Sequence, residues 1–152
     1  MLSKEEGLKR LQRYCAYQER CHSEVRSKLL DLKIYGDLLE EIMSELIKHD
    51  FLNEQRFAES YVRGKFRIKK WGKQKIVQNL KRKKISDYCM KKGMQTIADN
   101  DYRNALSELI KKYRNKYANQ GLSPMELHKK CINYCQRKGY EYAVIKEVLN
   151  GR

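Results

Sequence analysis

Residues 76–93 read IVQNLKRKKISDYCMKKG, and five positions in this stretch decide the fold: Ile76, Leu80, Ile85, Cys89 and Gly93. Counted from Ile76, their offsets are four, nine, thirteen and seventeen. Val25, Leu29, Ile34, Leu38 and Ile42 keep the same offsets upstream, as do Cys131, Cys135, Tyr140, Val144 and Val148 downstream. Each set links two helices through the turn between them. A repeat near fifty residues means similar small modules in series. Each module is too small to bury a large core alone, so neighbours are expected to lend contacts.

Helix signals outside the repeat complete the pattern. Ser3-Lys4-Glu5-Glu6 reads as a capping box, and Asp37-Leu38-Leu39-Glu40 as an Asp variant of one. Ser123-Pro124-Met125-Glu126 adds a proline at the first helical position, where no donor is missed. Asn53 and Ser86 read as single N-caps. Gly36, Gly72, Gly121 and Gly139 fall between periodic stretches. The spacing predicts nine helices, over 4–18, 23–33, 37–49, 53–70, 73–84, 86–98, 100–118, 124–138 and 141–150. They group as long, short, short, three times over. The expected fold is all-α, with three tandem three-helix modules at 1–52, 53–98 and 99–152.

Composition agrees. Of 152 residues, 41% are hydrophobic and 35% charged, which excludes a wholly disordered chain. One proline, Pro124, and eight glycines are too few breakers for a many-turned β fold. No apolar stretch follows a basic start, and the longest apolar runs, as at 142–145, are too short to span a bilayer. Five cysteines (Cys15, Cys21, Cys89, Cys131, Cys135) without CxxC spacing fit a reducing, cytoplasmic compartment. Polar outer faces favour a monomer.

The net charge is +15 and it is clustered. Residues 1–52 carry −1, residues 53–98 carry +11 and residues 99–152 carry +5. At about 100° per residue, Arg63, Arg67 and Lys70 fall within roughly 40° of Arg56. Phe57, Ala58, Tyr61 and Val62 lie opposite, so one face is core and the other a basic stripe. Lys65 points into the apolar arc and has to snorkel. On the next helix Ile76, Val77 and Leu80 share a face, with Lys75 and Arg82 opposite. Lys81-Arg82-Lys83-Lys84 closes that helix, where cations also suit the C-terminal dipole. Arg56, Arg63, Arg67, Lys70, Lys73, Lys75, Lys81, Arg82, Lys83 and Lys84 are the candidate surface for DNA or an acidic protein partner. A solvated face with dipole complement is the plainer alternative.

Catalytic and cofactor constellations are missing from the pattern. His22, His49 and His128 are scattered and form no HExxH. Cys131 and Cys135 share a helix face in core slots, so packing is favoured over metal. Gly72-Lys73 lacks the upstream glycine and following Ser/Thr of a phosphate loop. Neither GxSxG nor a paired acid and base occurs. The reading is a protein without enzymatic activity, cofactor or metal. Tyr61, Tyr88 and Tyr140 fall at core periodicity, and Tyr113 and Tyr117 pack four apart. Trp71 is a hinge-packing residue or a stacking platform.

The stretch 50–63, DFLNEQRFAESYVR, resembles the signature segment of the RecX family. Trp71-Gly72-Lys73 through Leu80 with Lys84-Ile85-Ser86, Arg137-Lys138-Gly139-Tyr140 with 144–149, and Ser23 through Leu30 resemble further family segments in the right order. Family members often carry Lys-Gly where this chain has Lys83-Lys84, and 86–99 follow the family poorly. The resemblance implies tandem three-helix modules in an elongated, curved arrangement. It implies a non-enzymatic regulator that lodges in the groove of a RecA–DNA filament and inhibits ATP hydrolysis and strand exchange. RecA recombinase filament and single-stranded DNA within or beside it are the implied partners. Arg56, Phe57, Ala58, Tyr61 and Arg63 carry the motif, with Arg56 and Arg63 as implied contacts. A stand-alone nucleic-acid-binding protein with helix-turn-helix-like modules is the other expectation.

Overall fold

In a computed structural model describing residues 1–151, the chain is all-α. Nine helices run α1 Lys4–Tyr17, α2 His22–Asp31, α3 Gly36–Lys48, α4 Glu54–Arg67, α5 Lys73–Arg82, α6 Asp87–Met94, α7 Asp99–Tyr117, α8 Pro124–Arg137 and α9 Tyr142–Leu149. They form three consecutive modules of three helices each. The residues fall into two compact units. The first holds 1–60 with 80–93, and the second holds 61–79 with the residues from 94 on.

The five-position repeat is the mould of one turn used three times. Lys33, Lys84 and Gly139 occupy equivalent places and all have positive φ, at 64°, 62° and 104°. Ile34, Ile85 and Tyr140 follow them and donate their amides to the carbonyls of Leu29, Leu80 and Cys135 at 3.0, 3.1 and 3.1 Å. The preceding amides of Lys33, Lys84 and Gly139 reach Leu30, Lys81 and Gln136 at 2.9, 3.0 and 2.9 Å. This is the paired bonding of a Schellman helix end, which brings together the side chains on either side of the turn. Val25, Leu29, Ile34 and Ile42 are buried, as are Ile76, Leu80, Ile85 and Cys89, and Cys131, Cys135 and Tyr140.

Capping follows the sequence in part. Ser3 and Glu6 close the expected box, at 3.2 and 3.4 Å. Ser123 accepts from the Glu126 amide ahead of Pro124, Asn53 from Arg56 and Ser86 from Cys89. The Asp37–Glu40 box does not form. α3 starts one residue earlier with Tyr35 as its N-cap, and Glu40 turns to Arg26 instead, at 2.6 and 3.1 Å. α6 stops at Met94, short of the expected 98, and α4 stops at Arg67, short of 70. Tyr88, placed in the core by periodicity, is 63% exposed. Cys89, Met90 and Gly93 take the buried face of that short helix.

In the first unit, Leu11, Cys15, Val25, Leu29, Ile34, Ile42 and Leu46 make the core between α1, α2 and α3. The start of α2 meets the α5–α6 turn. Ser23 Oγ donates to the Lys83 carbonyl at 2.9 Å, and Lys83 Nζ lies 3.7 Å from Glu24. In the second unit the start of α5 meets the α8–α9 turn in the same way. The Gly72 amide donates to the Lys138 carbonyl at 2.7 Å, and Gln74 to Gly139 at 3.0 Å. Here backbone touches backbone: a Cβ on Gly72 would sit 2.3 Å from the Gly139 carbonyl carbon and the Tyr140 nitrogen. Tyr102, 1% exposed, locks the contact. Its hydroxyl accepts from the Lys73 amide at 2.9 Å and donates to the Glu141 carboxylate. Burial and that carboxylate push the Tyr102 phenol above its usual range, so it stays a donor. Tyr140 stacks on Tyr102 at 5.0 Å, and its own hydroxyl is buried without a partner among the described residues.

These bonds set the expected response to substitution. Tyr102→Phe should cost about 1–3 kcal/mol, because it orphans the Lys73 amide and the Glu141 carboxylate. Tyr140→Phe should be neutral or stabilising, because it removes an unsatisfied hydroxyl. Urea unfolding of the two variants checks the contrast, and equal losses would contradict it. In the same assay Gly72→Ala should lose about 1–3 kcal/mol by overpacking. Lys84→Gly should gain on the order of 0.5–1 kcal/mol, since relief of left-handed strain exceeds the added chain freedom.

Candidate polyanion interface

The predicted cations divide between the two units. In the second unit Arg63, Arg67 and Lys70 are exposed, while Phe66 and Val62 of the same helix are buried. Because α4 ends at Arg67, Lys70 reaches the surface through a left-handed turn with φ 61° and not on the helix face. Lys65 snorkels as expected, with Nζ 5.4 Å from the Tyr61 ring centre and 5.0 Å from Trp71. Lys75 Nζ lies 4.6 Å from Trp71, and Lys73 Nζ 4.5 Å from the Tyr102 ring. Trp71 is half-buried, with two ammonium groups in cation–π range, which suits a packing role.

The first unit holds the others. Arg56 turns inward: it pairs with Glu19 at 2.7 Å and Asp50 at 3.0 Å, and donates to the Asp50 and Phe51 carbonyls at the end of α3. Its guanidinium is spent on structure, tying α4 to the α1–α2 connection and to the α3–α4 turn. Lys81, Arg82 and Lys84 are exposed, and Lys83 is half-buried beside Glu24.

A second basic surface in this unit escaped the sequence reading. Arg10, Arg13, Tyr14 and Tyr17 sit three and four residues apart on one face of α1. With Arg20 and Lys28 they line an open hollow. It adjoins another, lined by Lys28, Arg82, Lys83 and Lys84, with Glu24 and Asp31. Tyr14 and Lys28 belong to both. The Arg20 guanidinium stacks on the Tyr14 ring at 3.7 Å and donates to the Tyr14 carbonyl at 3.0 Å. The signal was present as interleaved Arg and Tyr at helical spacing. The acidic residues elsewhere in 1–52 cancelled it in the regional charge.

The five cysteines are buried and unpaired as disulfides. Burial raises the Cys15 thiol to about 11 and also lifts Cys21, so these are core groups. Cys131 and Cys135 hydrogen-bond each other in the core, and that bond with burial pushes Cys135 up. No group of three or more His, Cys, Asp or Glu poised for a metal occurs among the described residues. No described helix is long and apolar enough to cross a membrane.

Comparison with known proteins places this arrangement. Residues 53–94 match the second three-helix domain of RecX, and 99–149 the third. Regulatory protein RecX of Clostridium acetobutylicum is 31% identical over 128 residues, covering 83% of this chain and 59% of that protein. The Lactococcus lactis IL1403 protein of the same name is 26% identical over 132 residues, covering 86% and 49%. The chain thus spans only about half to three-fifths of these relatives. The crystal structure of RecX from Lactobacillus salivarius superposes with a TM-score of 0.87 at 28% identity, over 97% of this chain and 95% of that one. With its three-helix modules and the 50–63 segment in place, this chain belongs to the RecX family.

Proposed function

We propose that this protein is a cytoplasmic, non-enzymatic regulator that binds a RecA recombinase filament and inhibits its ATP hydrolysis and strand exchange. The observation that carries the reading is RecX membership along nearly the whole chain, combined with exposed cations in both units. In the second unit Arg63, Arg67 and Lys70 offer charge to DNA phosphates or an acidic protein surface. In the first, Lys81, Arg82 and Lys84 do the same. Several weak interactions along one filament groove add avidity, so a monomer suffices. Single-stranded DNA within or beside the filament is the accompanying ligand.

The test is ATP hydrolysis by a preformed RecA filament on single-stranded DNA, with this protein titrated at fixed salt. Inhibition should appear well below the amount that coats the DNA. Arg63→Glu with Arg67→Glu should weaken inhibition on the order of tenfold and lower the salt slope by about two, with helix content unchanged. Inhibition only at DNA-saturating amounts would favour the stand-alone nucleic-acid-binding reading. Full inhibition by the double variant would remove these arginines from the interface.

A further inference from the structure

We infer that the cleft formed by α1, α2 and the α5–α6 turn in the first unit is a binding site for single-stranded nucleic acid, with Tyr17 as the base-stacking platform. The chemistry of its walls selects this ligand. Single strands need cations that track phosphates and aromatic faces open to unpaired bases. Tyr17 is 83% exposed, more than the other exposed tyrosines of this unit, Tyr35 and Tyr88, and no described residue covers its face. Arg13 stands four residues before it on the same helix face, and Arg10 one turn further back. Tyr14, the residue after Arg13, is already stacked by Arg20, which holds that guanidinium flat as a second surface for a base.

Charge continues beyond this stacking floor. Lys28 joins it to the hollow that holds Arg82 and Lys84. Arg13, Arg82 and Lys84 make no ion pair among the described residues, so their charge is available to phosphates. Of the two carboxylates lining the cleft, Glu24 is occupied by the Cys21 amide and Lys83. Asp31 lies at the exposed end of α2. An acidic peptide would use the cations but gains nothing from an open Tyr ring beside an Arg–Tyr stack. A duplex offers phosphates but keeps its bases stacked on each other. Holding a single strand beside a filament is part of the function proposed above, on which the biological setting rests. The site itself needs no recombinase.

The test uses the full chain and a 5′-fluorescein oligothymidylate of about twelve nucleotides, within the usual footprint of such sites. Fluorescence anisotropy should show Tyr17→Ala losing affinity by about five- to a hundredfold, with Tyr17→Trp restoring it. Binding to a duplex of equal length should not change in Tyr17→Ala. Arg13→Ala with Arg82→Ala should flatten the salt dependence by about 0.7 for each phosphate no longer neutralised. Both arginines and Tyr17 are exposed, so folding is preserved, and circular dichroism checks it. Wild-type affinity in Tyr17→Ala overturns the assignment, and so does an equal loss on duplex. Displacement of the oligonucleotide by poly-glutamate as effectively as by unlabelled oligothymidylate also overturns it, in favour of an acidic protein surface. If the oligonucleotide results hold while wild-type protein fails to inhibit the RecA filament, the cleft stands and only the filament reading falls.

Discussion

The start of one helix pressed against the end of another, backbone to backbone, is the contact on which these modules depend. At Gly72 the amide of an incoming helix meets the Lys138 carbonyl at 2.7 Å, with no side chain between them. Helix starts carry spare N–H groups and partial positive charge, and helix ends carry spare carbonyls and partial negative charge. Joining the two satisfies both at once. The first unit makes a looser version of the contact: the Ser23 side-chain hydroxyl, not a backbone amide, donates to the Lys83 carbonyl at the equivalent place in its own turn. Tyr102 is the added lock in the second unit, since its hydroxyl serves an otherwise spare α5 amide and the Glu141 carboxylate together.

Such a contact requires a turn that ends one helix sharply and presents its carbonyls. That requirement explains why the repeat has a step of five between its second and third positions. The Schellman geometry reverses the chain through one left-handed residue, and the apolar residues on either side then meet. Only the third module uses glycine there, and it has two reasons. Gly139 has φ 104°, and a Cβ on it would approach Lys75 Cβ to 2.4 Å. Lys33 and Lys84 have room for a side chain and accept the backbone strain.

The all-α class, nearly every helix end and the module core were legible because each rests on local rules: period, caps and breakers. The five-position repeat was legible for the same reason. Arg56 was not. Its partners Glu19 and Asp50 lie 37 and 6 residues away, and helical spacing alone put it in line with Arg63 and Arg67. Tyr88 sat at core period but in a helix of eight residues, too short for its period to settle which face turns inward. The α1 surface was hidden by averaging. Glu5, Glu6, Glu40, Glu41 and Glu45 neutralise the regional sum without lying in the cleft lined by Arg13 and Tyr17.

The placement of lysine at strained positions links stability to the surface. Lys33, Lys70 and Lys84 hold positive φ just past a helix end, as does one acid, Asp50 after α3, whose carboxylate is held by Arg56. A left-handed L-residue costs about 1–2 kcal/mol, and a cation near the C-terminal dipole returns only about 0.3–1 kcal/mol when exposed. Folding alone therefore favours glycine or asparagine at these turns. Lysine there leaves an ammonium group on the outside of the turn, and Lys84 borders the basic cleft of the first unit. The fold thus tolerates strain at sites where the side chain has no packing role, and the gain lies in charge presented outward. Such local strain is tolerable because a fold needs only enough stability to stay folded, not the maximum its backbone allows.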